Sequence, residues 1–136
     1  MTPDAILETV IYAEDLAAAE AFYRDVLGFA PQARVDGRHV FYRVGSQMLL
    51  IFDPRTTSQP PRPGALPVPP HGATGPGHVC FRASADEIDA WVARLRGSNI
   101  AIESDFRWPS GGRSIYFRDP AGNCLEFAEA RIWGLQ

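Results

Sequence analysis

The chain carries one pattern twice, and that duplication restricts its fold more than any other feature. Residues 41–43 read Phe-Tyr-Arg and residues 116–118 read Tyr-Phe-Arg. Each triplet soon reaches a glycine, Gly45 or Gly122. An apolar run follows, Met48-Leu49-Leu50-Ile51-Phe52 in one copy and Leu125-Glu126-Phe127 in the other. Upstream, Glu8-Thr9-Val10-Ile11-Tyr12 leads into a helical pattern ending at Val26-Leu27-Gly28. His78-Val79-Cys80-Phe81 leads likewise into one ending at Leu95-Arg96-Gly97. A tandem repeat puts equivalent side chains at equivalent points of two similar modules, so polar residues that break the pattern mark a candidate site.

The apolar, β-branched run at 6–12 predicts a strand in which Glu8 is the misfit. Asp15 stands where a helix N-cap belongs. Leu16, Ala19, Phe22, Tyr23, Val26 and Leu27 then recur at helical spacing, and Gly28 supplies the stop. Residues 38–44 and 47–52 read as strands turned at Gly45-Ser46. In the second copy the expected elements are strand 77–83, helix 85–96 and strands 100–106, 113–118 and 123–128. Ser84 and Glu87 form a capping box before that helix. Between the copies lie Pro54, Pro60, Pro61, Pro63, Pro67, Pro69, Pro70 and Pro76. Proline removes backbone donors, so this stretch is expected to be a partly extended linker. The fold expected is α+β, with two tandem βαβββ modules at 1–53 and 77–136 and a linker at 54–76. Together they would make one structural domain, a curved mixed sheet around a groove with helices outside.

Net charge is -3 over 136 residues with no basic run, which gives no footprint for nucleic acid. No apolar stretch approaches the roughly 20 residues that cross a bilayer, so no membrane partner is expected. An acid at Asp4 and the lack of a basic-then-apolar start do not fit a signal peptide. Cys80 and Cys124 fall in expected strands and read as reduced core thiols, consistent with a cytoplasmic protein.

Aligning the copies concentrates the chemistry. Glu8 and His78 each open the first strand of their module, and matching Gly45 to Gly122 places Glu126 against Leu49. Four equivalent inward positions result, of which Glu8, His78 and Glu126 can bind a metal and Leu49 cannot. One imidazole and two carboxylates suit a divalent ion such as Fe²⁺, Mn²⁺, Co²⁺, Ni²⁺ or Zn²⁺. Three protein ligands leave positions open for water or substrate, the layout of a catalytic site. Taken singly, each residue also has a plain reading: Glu8 as a wet edge residue, His78 as a strand opener, Glu126 on a solvated sheet face. Their coincidence at equivalent positions favours the metal.

Beyond these positions, Ala21-Phe22-Tyr23-Arg24-Asp25-Val26-Leu27-Gly28-Phe29 resembles the opening of the vicinal oxygen chelate superfamily. This is the group of glyoxalase I, bleomycin-resistance proteins, fosfomycin-resistance thiol transferases and extradiol dioxygenases. Gly77-His78-Val79 and Tyr116-Phe117-Arg118-Asp119-Pro120-Ala121-Gly122-Asn123-Cys124-Leu125-Glu126 resemble its second-module signatures. The resemblance implies a glyoxalase/bleomycin-resistance/dioxygenase-like fold with Glu8, His78 and Glu126 as ligands. Glutamate at position 8 replaces the usual histidine or glutamine. Leu49 departs from the glutamate at the matching position of glyoxalase I, which is linked there to proton transfer. The remaining triad is more like the three-ligand layout of the transferases and dioxygenases.

Strand alternation turns Cys124 and Ala128 to the same side as Glu126, with Ser114 and Tyr116 from the strand before. The repeat assigns His39, Phe41 and Arg43 to that side of the first module. Tyr116 is the candidate donor or general acid. Phe41, Arg43, Leu49, Trp108 and Ser114 are the candidate substrate-binding residues. Arg118 is expected to pair with Asp119 in a turn. The function expected is a metal-dependent small-molecule enzyme whose ion chelates vicinal oxygens, with lyase, isomerase or transferase chemistry favoured over dioxygenation. The other reading is a metal-free ligand-binding or antibiotic-sequestering resistance protein. A homodimer is expected, the linker being able to carry one module to a partner.

Overall fold

Two four-stranded sheets organise the computed structural model, which describes residues 1–136. They lie in separate units, Met1–Gly75 and Pro76–Gln136. The elements in chain order are β1 (Glu8–Tyr12), α1 (Leu16–Asp25), β2 (Pro31–Val35), β3 (His39–Val44), β4 (Gln47–Phe52) and α2 (Pro54–Thr57). After them come β5 (His78–Arg82), α3 (Ala85–Gly97), β6 (Ser104–Arg107), β7 (Arg113–Arg118) and β8 (Cys124–Ala128). The sheets have the same plan, β1-β4-β3-β2 and β5-β8-β7-β6, each with one parallel pair between its first and last strands. The α+β class is as expected. No helix is long and apolar enough to cross a membrane.

In the first unit Asp15 caps α1 by accepting from the Ala18 amide, and Gly28 follows it at φ 75°. Helix α1 buries Ala19, Phe22 and Tyr23, and the Tyr23 ring meets Tyr42 of β3 at 5.7 Å. Ile11, Val40, Tyr42, Leu49 and Ile51 point to that same side of the sheet and are all buried. Each such side chain contributes about 1.5–3 kcal/mol of transfer free energy. Strand β2 is implied by the βαβββ plan but has no residues assigned to it in the sequence: every one of them is exposed, so no alternation betrays it. The proline-rich segment begins as the short helix α2, capped by Asp53, rather than as extended chain. Farther along, the His71 amide donates to the Thr57 carbonyl, and His71 Nδ1 lies 2.7 Å from the Tyr12 hydroxyl.

The second unit repeats these devices with different residues. Ser84 and Glu87 form the expected capping box, and α3 buries Ile88, Val92 and Leu95. Trp91 stacks on Phe127 at 4.4 Å, while Ile115, Phe117 and Leu125 complete the helix-side core. The turn between β7 and β8 is knotted by side chains. Asp119 Oδ1 accepts from the Ala121 and Asn123 amides, and Asp119 Oδ2 accepts from Asn123 Nδ2. Asn123 Oδ1 in turn accepts from the Gly77 amide at 2.8 Å, fixing the chain just before β5. Arg118 pairs with Glu103 at 2.6 Å and not with Asp119, whose carboxylate is taken up by that turn.

Register corrects one expected equivalence. Met48 N–H donates to Leu7 O, and Cys124 N–H donates to Gly77 O in the same way. Ala13 N–H to Phe52 O and Ala83 N–H to Ala128 O are a second matched pair. These bonds make Leu50, not Leu49, the counterpart of Glu126. Arg43 pairs with Met48 and Arg118 with Cys124, so residues 44–47 form one turn and 119–123 the other. The second turn is one residue longer, and alignment on its glycine slips the strand by one. A one-residue slip moves a side chain to the opposite face. Leu49 is accordingly a core residue opposite Tyr42, 2% exposed, and is removed from the substrate-binding set. The fourth position is still a leucine.

Candidate metal and substrate site

The sheet face turned away from α3 collects the second unit's polar residues. His78 and Cys80 come from β5, Cys124 and Glu126 from β8, and Ser114 and Tyr116 from β7. Pairing sets His78 beside Cys124, Cys80 beside Glu126 and Tyr116 beside Glu126. The two cysteines are thus not core residues. Both are free thiols on this face, Cys80 exposed and Cys124 partly so. Their apolar sequence neighbours had pointed inward, but alternation turns the cysteines the other way.

His78 Nδ1 lies 2.9 Å from the carbonyl oxygen of Cys124, an atom that can only accept. Nδ1 therefore carries the proton and donates. Nε2 then faces Glu126 Oε2 at 3.3 Å. In a neutral imidazole this nitrogen is a lone pair, so two acceptors confront each other. The other carboxylate oxygen, Glu126 Oε1, is buried and has no hydrogen-bond partner. Glu126 as a whole is only 5% exposed. Buried acceptors without donors are costly, about 1–3 kcal/mol each and more for a charged group. His78 is half exposed, so the deficit is that of the buried carboxylate, which calls for positive charge here from a proton on Nε2 or a bound cation. An imidazole oriented through its far nitrogen beside a carboxylate is the arrangement of a metal ligand pair. His78 and Glu126 fit a divalent ion as two of its donors.

Tyr116 borders this pair. Its ring stacks against His78 at 6.2 Å and against Phe106 at 6.0 Å. Burial, and then the neighbouring Glu126 carboxylate, push its hydroxyl up to about 12, so it keeps its proton at neutral pH. Cys80 shows solvent-exposed surface, but the groups crowding its thiol desolvate it. That desolvation, followed by Glu126, pushes it up to about 12 as well. Trp108 Nε1 donates to Ser114 Oγ at 2.8 Å, and its ring meets Phe106 at 4.9 Å. The expected loop aromatic is therefore tied to the site face through a fully buried serine.

The second unit thus brings together His78, Glu126, Tyr116, Ser114 and Trp108. Cys124 joins them on the side where alternation from Glu126 puts it, and Phe106 and Cys80 join without having been foreseen as site residues. Alternation from His78 could have found Cys80, and the aromatic at 106 sits on a wholly exposed strand without a pattern. Glu8, Phe41 and Arg43 belong to the first unit. Glu8 is exposed at the start of β1, opposite Met48. Phe41 stacks on His39 at 4.0 Å and meets Phe52 edge-on at 5.1 Å. Arg43 is exposed and donates to Gln32 Oε1 at 3.2 Å. No three His, Cys, Asp or Glu side chains converge as a complete metal cage.

Known proteins share this plan. The profile of the Glyoxalase/Bleomycin resistance protein/Dioxygenase superfamily matches residues 5–127. The crystal structure of lactoylglutathione lyase from Agrobacterium tumefaciens superposes with a TM-score of 0.92 at 48% identity, covering 99% of this chain and 100% of that one. A glyoxalase/bleomycin resistance protein/dioxygenase from Nocardioides gives a TM-score of 0.73 at 25% identity, over 95% of this chain and 85% of that one. The uncharacterized protein YaeR of Escherichia coli (strain K12) is 34% identical over 127 residues, 88% of this chain and 91% of YaeR.

Proposed function

Since this chain belongs to the glyoxalase/bleomycin resistance protein/dioxygenase superfamily, we propose that it is a metal-dependent enzyme acting on a small molecule with neighbouring oxygens. His78 and Glu126 hold a divalent ion of the Fe, Mn, Co, Ni or Zn group. The observation that carries this reading is the confrontation of His78 Nε2 with Glu126 Oε2 beside the orphaned Glu126 Oε1. When bound, the ion supplies Lewis acidity toward negative charge developing on a substrate oxygen.

The chain's own groups do the rest. The Cys124 carbonyl holds His78 in the tautomer that presents Nε2. Tyr116 keeps a proton on its hydroxyl and offers it to a substrate oxygen as hydrogen-bond donor or general acid. Ser114, locked by Trp108, positions the tyrosine's strand, while the tilted pair of Trp108 and Phe106 gives an apolar wall. Similarity to a lactoylglutathione lyase favours lyase, isomerase or transferase chemistry over dioxygenation. The leucine at position 50 leaves the fourth carboxylate out, so a proton-transfer role for that position is not part of the reading. The working form is a homodimer.

Metal content of purified, untagged protein tests the proposal directly. One divalent ion per chain, lost in Glu126→Ala, is expected. A protein that neither carries nor takes up such an ion is instead the metal-free binding protein. Metal-loaded protein is then screened on small 1,2-dioxygenated compounds, thiol adducts and catechols. Turnover abolished by a chelator and restored by one ion identifies the reaction class.

A further inference from the structure

The Glu126 carboxylate has a sulfur neighbour that the His and Glu ligand set does not use. Strand β5 is parallel to β8, and its register pairs Cys80 directly with Glu126. His78 and Cys80 are two residues apart on one strand, so they project from the same face. Imidazole, carboxylate and thiol thus share a patch one residue wide on two adjacent strands. Within that patch Glu126 Oε1 is buried and makes no hydrogen bond of good geometry, although the Tyr116 hydroxyl and the Cys80 thiol both act on the carboxylate.

The two cysteines of the face are not alike. The electrostatic neighbours of Cys80 are Glu126 and Tyr116, the groups of the site. Cys124 instead acts on Arg118, which is committed to Glu103 just before β6. Cys80 Sγ is engaged with the Phe81 carbonyl at 3.8 Å, a weak sulfur contact. A cysteine has a single torsion with which to leave it. The three side chains do not converge in the present conformation, so recruitment of the thiol must accompany arrival of the ion.

Resting on the proposed metal-dependent function, we infer that Cys80 is a further metal ligand, making the site a nitrogen, oxygen and sulfur centre. Coordination breaks the S–H bond, the proton passes to solvent, and the sulfur electron pair enters the ion. A thiolate donor shifts the preference among the divalent ions toward Zn²⁺ and Co²⁺ and away from Mn²⁺, because soft sulfur discriminates where carboxylates do not. The leucine at position 50 then has a different meaning. The second unit carries a sulfur donor of its own.

Cobalt titration of metal-free, untagged protein tests the assignment, because sulfur bound to Co²⁺ produces an intense near-ultraviolet charge-transfer band. The band is expected in the native protein and in Cys124→Ser, and is expected to vanish in both Cys80→Ser and Cys80→Ala. Those two variants should lose about tenfold or more in Zn²⁺ affinity while Mn²⁺ affinity changes by about twofold or less. Circular dichroism checks that each variant is folded. Cobalt bound through ligand-field bands alone, with no charge-transfer band, overturns the role of Cys80 and leaves the metal-enzyme reading standing. A band that survives in Cys80→Ala and disappears in Cys124→Ser also overturns it. Failure of the native protein to bind Co²⁺, Zn²⁺ or Mn²⁺ overturns both.

Discussion

The two sheets have one strand order and nearly one register, yet their helix-free faces are chemically different. At the positions where the second unit places His78, Cys80, Tyr116 and Glu126, the first places Glu8, Val10, Phe41 and Leu50. The second face leaves carboxylate and imidazole acceptors short of positive charge. The first is filled by mutual ring contacts: His39 on Phe41 at 4.0 Å, Phe52 edge-on to both, and His71 against Phe52 at 4.9 Å. The backbone plan is common property and does not select the chemistry. Substitutions at a few alternate positions do, because strand periodicity lets one face change while the helix-side core stays apolar.

The largest expected effect comes from forcing the first face to resemble the second. Leu50→Glu puts a carboxylate between Val10 and Phe41 at a position only 6% exposed, where the residue matching His78 is Glu8. An unpaired buried charge should cost about 3 kcal/mol or more. Urea denaturation reads this as a lower midpoint at unchanged slope. A variant as stable as the parent would mean that the first face admits water, and the contrast between the faces would fail.

The reverse change removes charge from the second face. Glu126→Gln is nearly the same size but neutral, and its amide nitrogen can donate to His78 Nε2 or to solvent. Divalent-ion affinity should fall about 100-fold, as for loss of a direct ligand or a close partner. Stability without metal should hold or rise, because the buried acceptor no longer carries charge and the amide brings a donor of its own. A variant less stable than the parent by more than about 1 kcal/mol in metal-free buffer would show that the carboxylate has structural partners and is not held ready for a cation.

Next in size is the support beneath His78. Asn123 is 1% exposed and links the Asp119 turn to the Gly77 amide. Asn123→Ala leaves the Gly77 amide without its side-chain acceptor and takes one donor from Asp119 Oδ2, whose other oxygen keeps the two backbone amides, at about 2 kcal/mol. The first unit spans the same point with the plain Gly45-Ser46 turn, so no single substitution there should match this loss. Equal losses from Ser46→Ala and Asn123→Ala would remove the distinction.

Most of the fold was legible because its signals are local. Asp15 and Ser84 marked helix starts, Gly28 a stop, and alternation marked β3, β4, β7 and β8. Strand β2 was hidden, since an edge strand with five exposed residues has no apolar rhythm. The helix-free side of the second unit was legible from Glu126 outward, which correctly grouped Ser114, Tyr116 and Cys124. The slip to Leu49 shows what a sequence alignment lacks: hydrogen-bond register fixes which residue faces which, and a turn longer by one residue is invisible without it. Cys80 was misread for a related reason. Apolar neighbours report the strand, but only its pairing tells which face each neighbour occupies.

The smallest expected effect is nil at neutral pH and concerns two tyrosines, one in each unit. Tyr42 and Tyr116 are both pushed from 10.0 up to about 12, primarily by burial. A raised folded value means that the native state keeps a proton the unfolded chain releases. Their contribution to stability is therefore whole below about pH 10, and declines as pH climbs toward 12. Tyr42 lies in the α1-side core, where its hydroxyl has no partner, whereas Tyr116 stands beside Glu126. Positive charge placed at His78 and Glu126 should lower the titration of Tyr116 and leave that of Tyr42 alone. Spectrophotometric tyrosinate titration with and without Zn²⁺, in the parent and in Tyr116→Phe, separates the two. A metal-induced shift of equal size in Tyr116→Phe would assign the response to another tyrosine and take Tyr116 away from the ion.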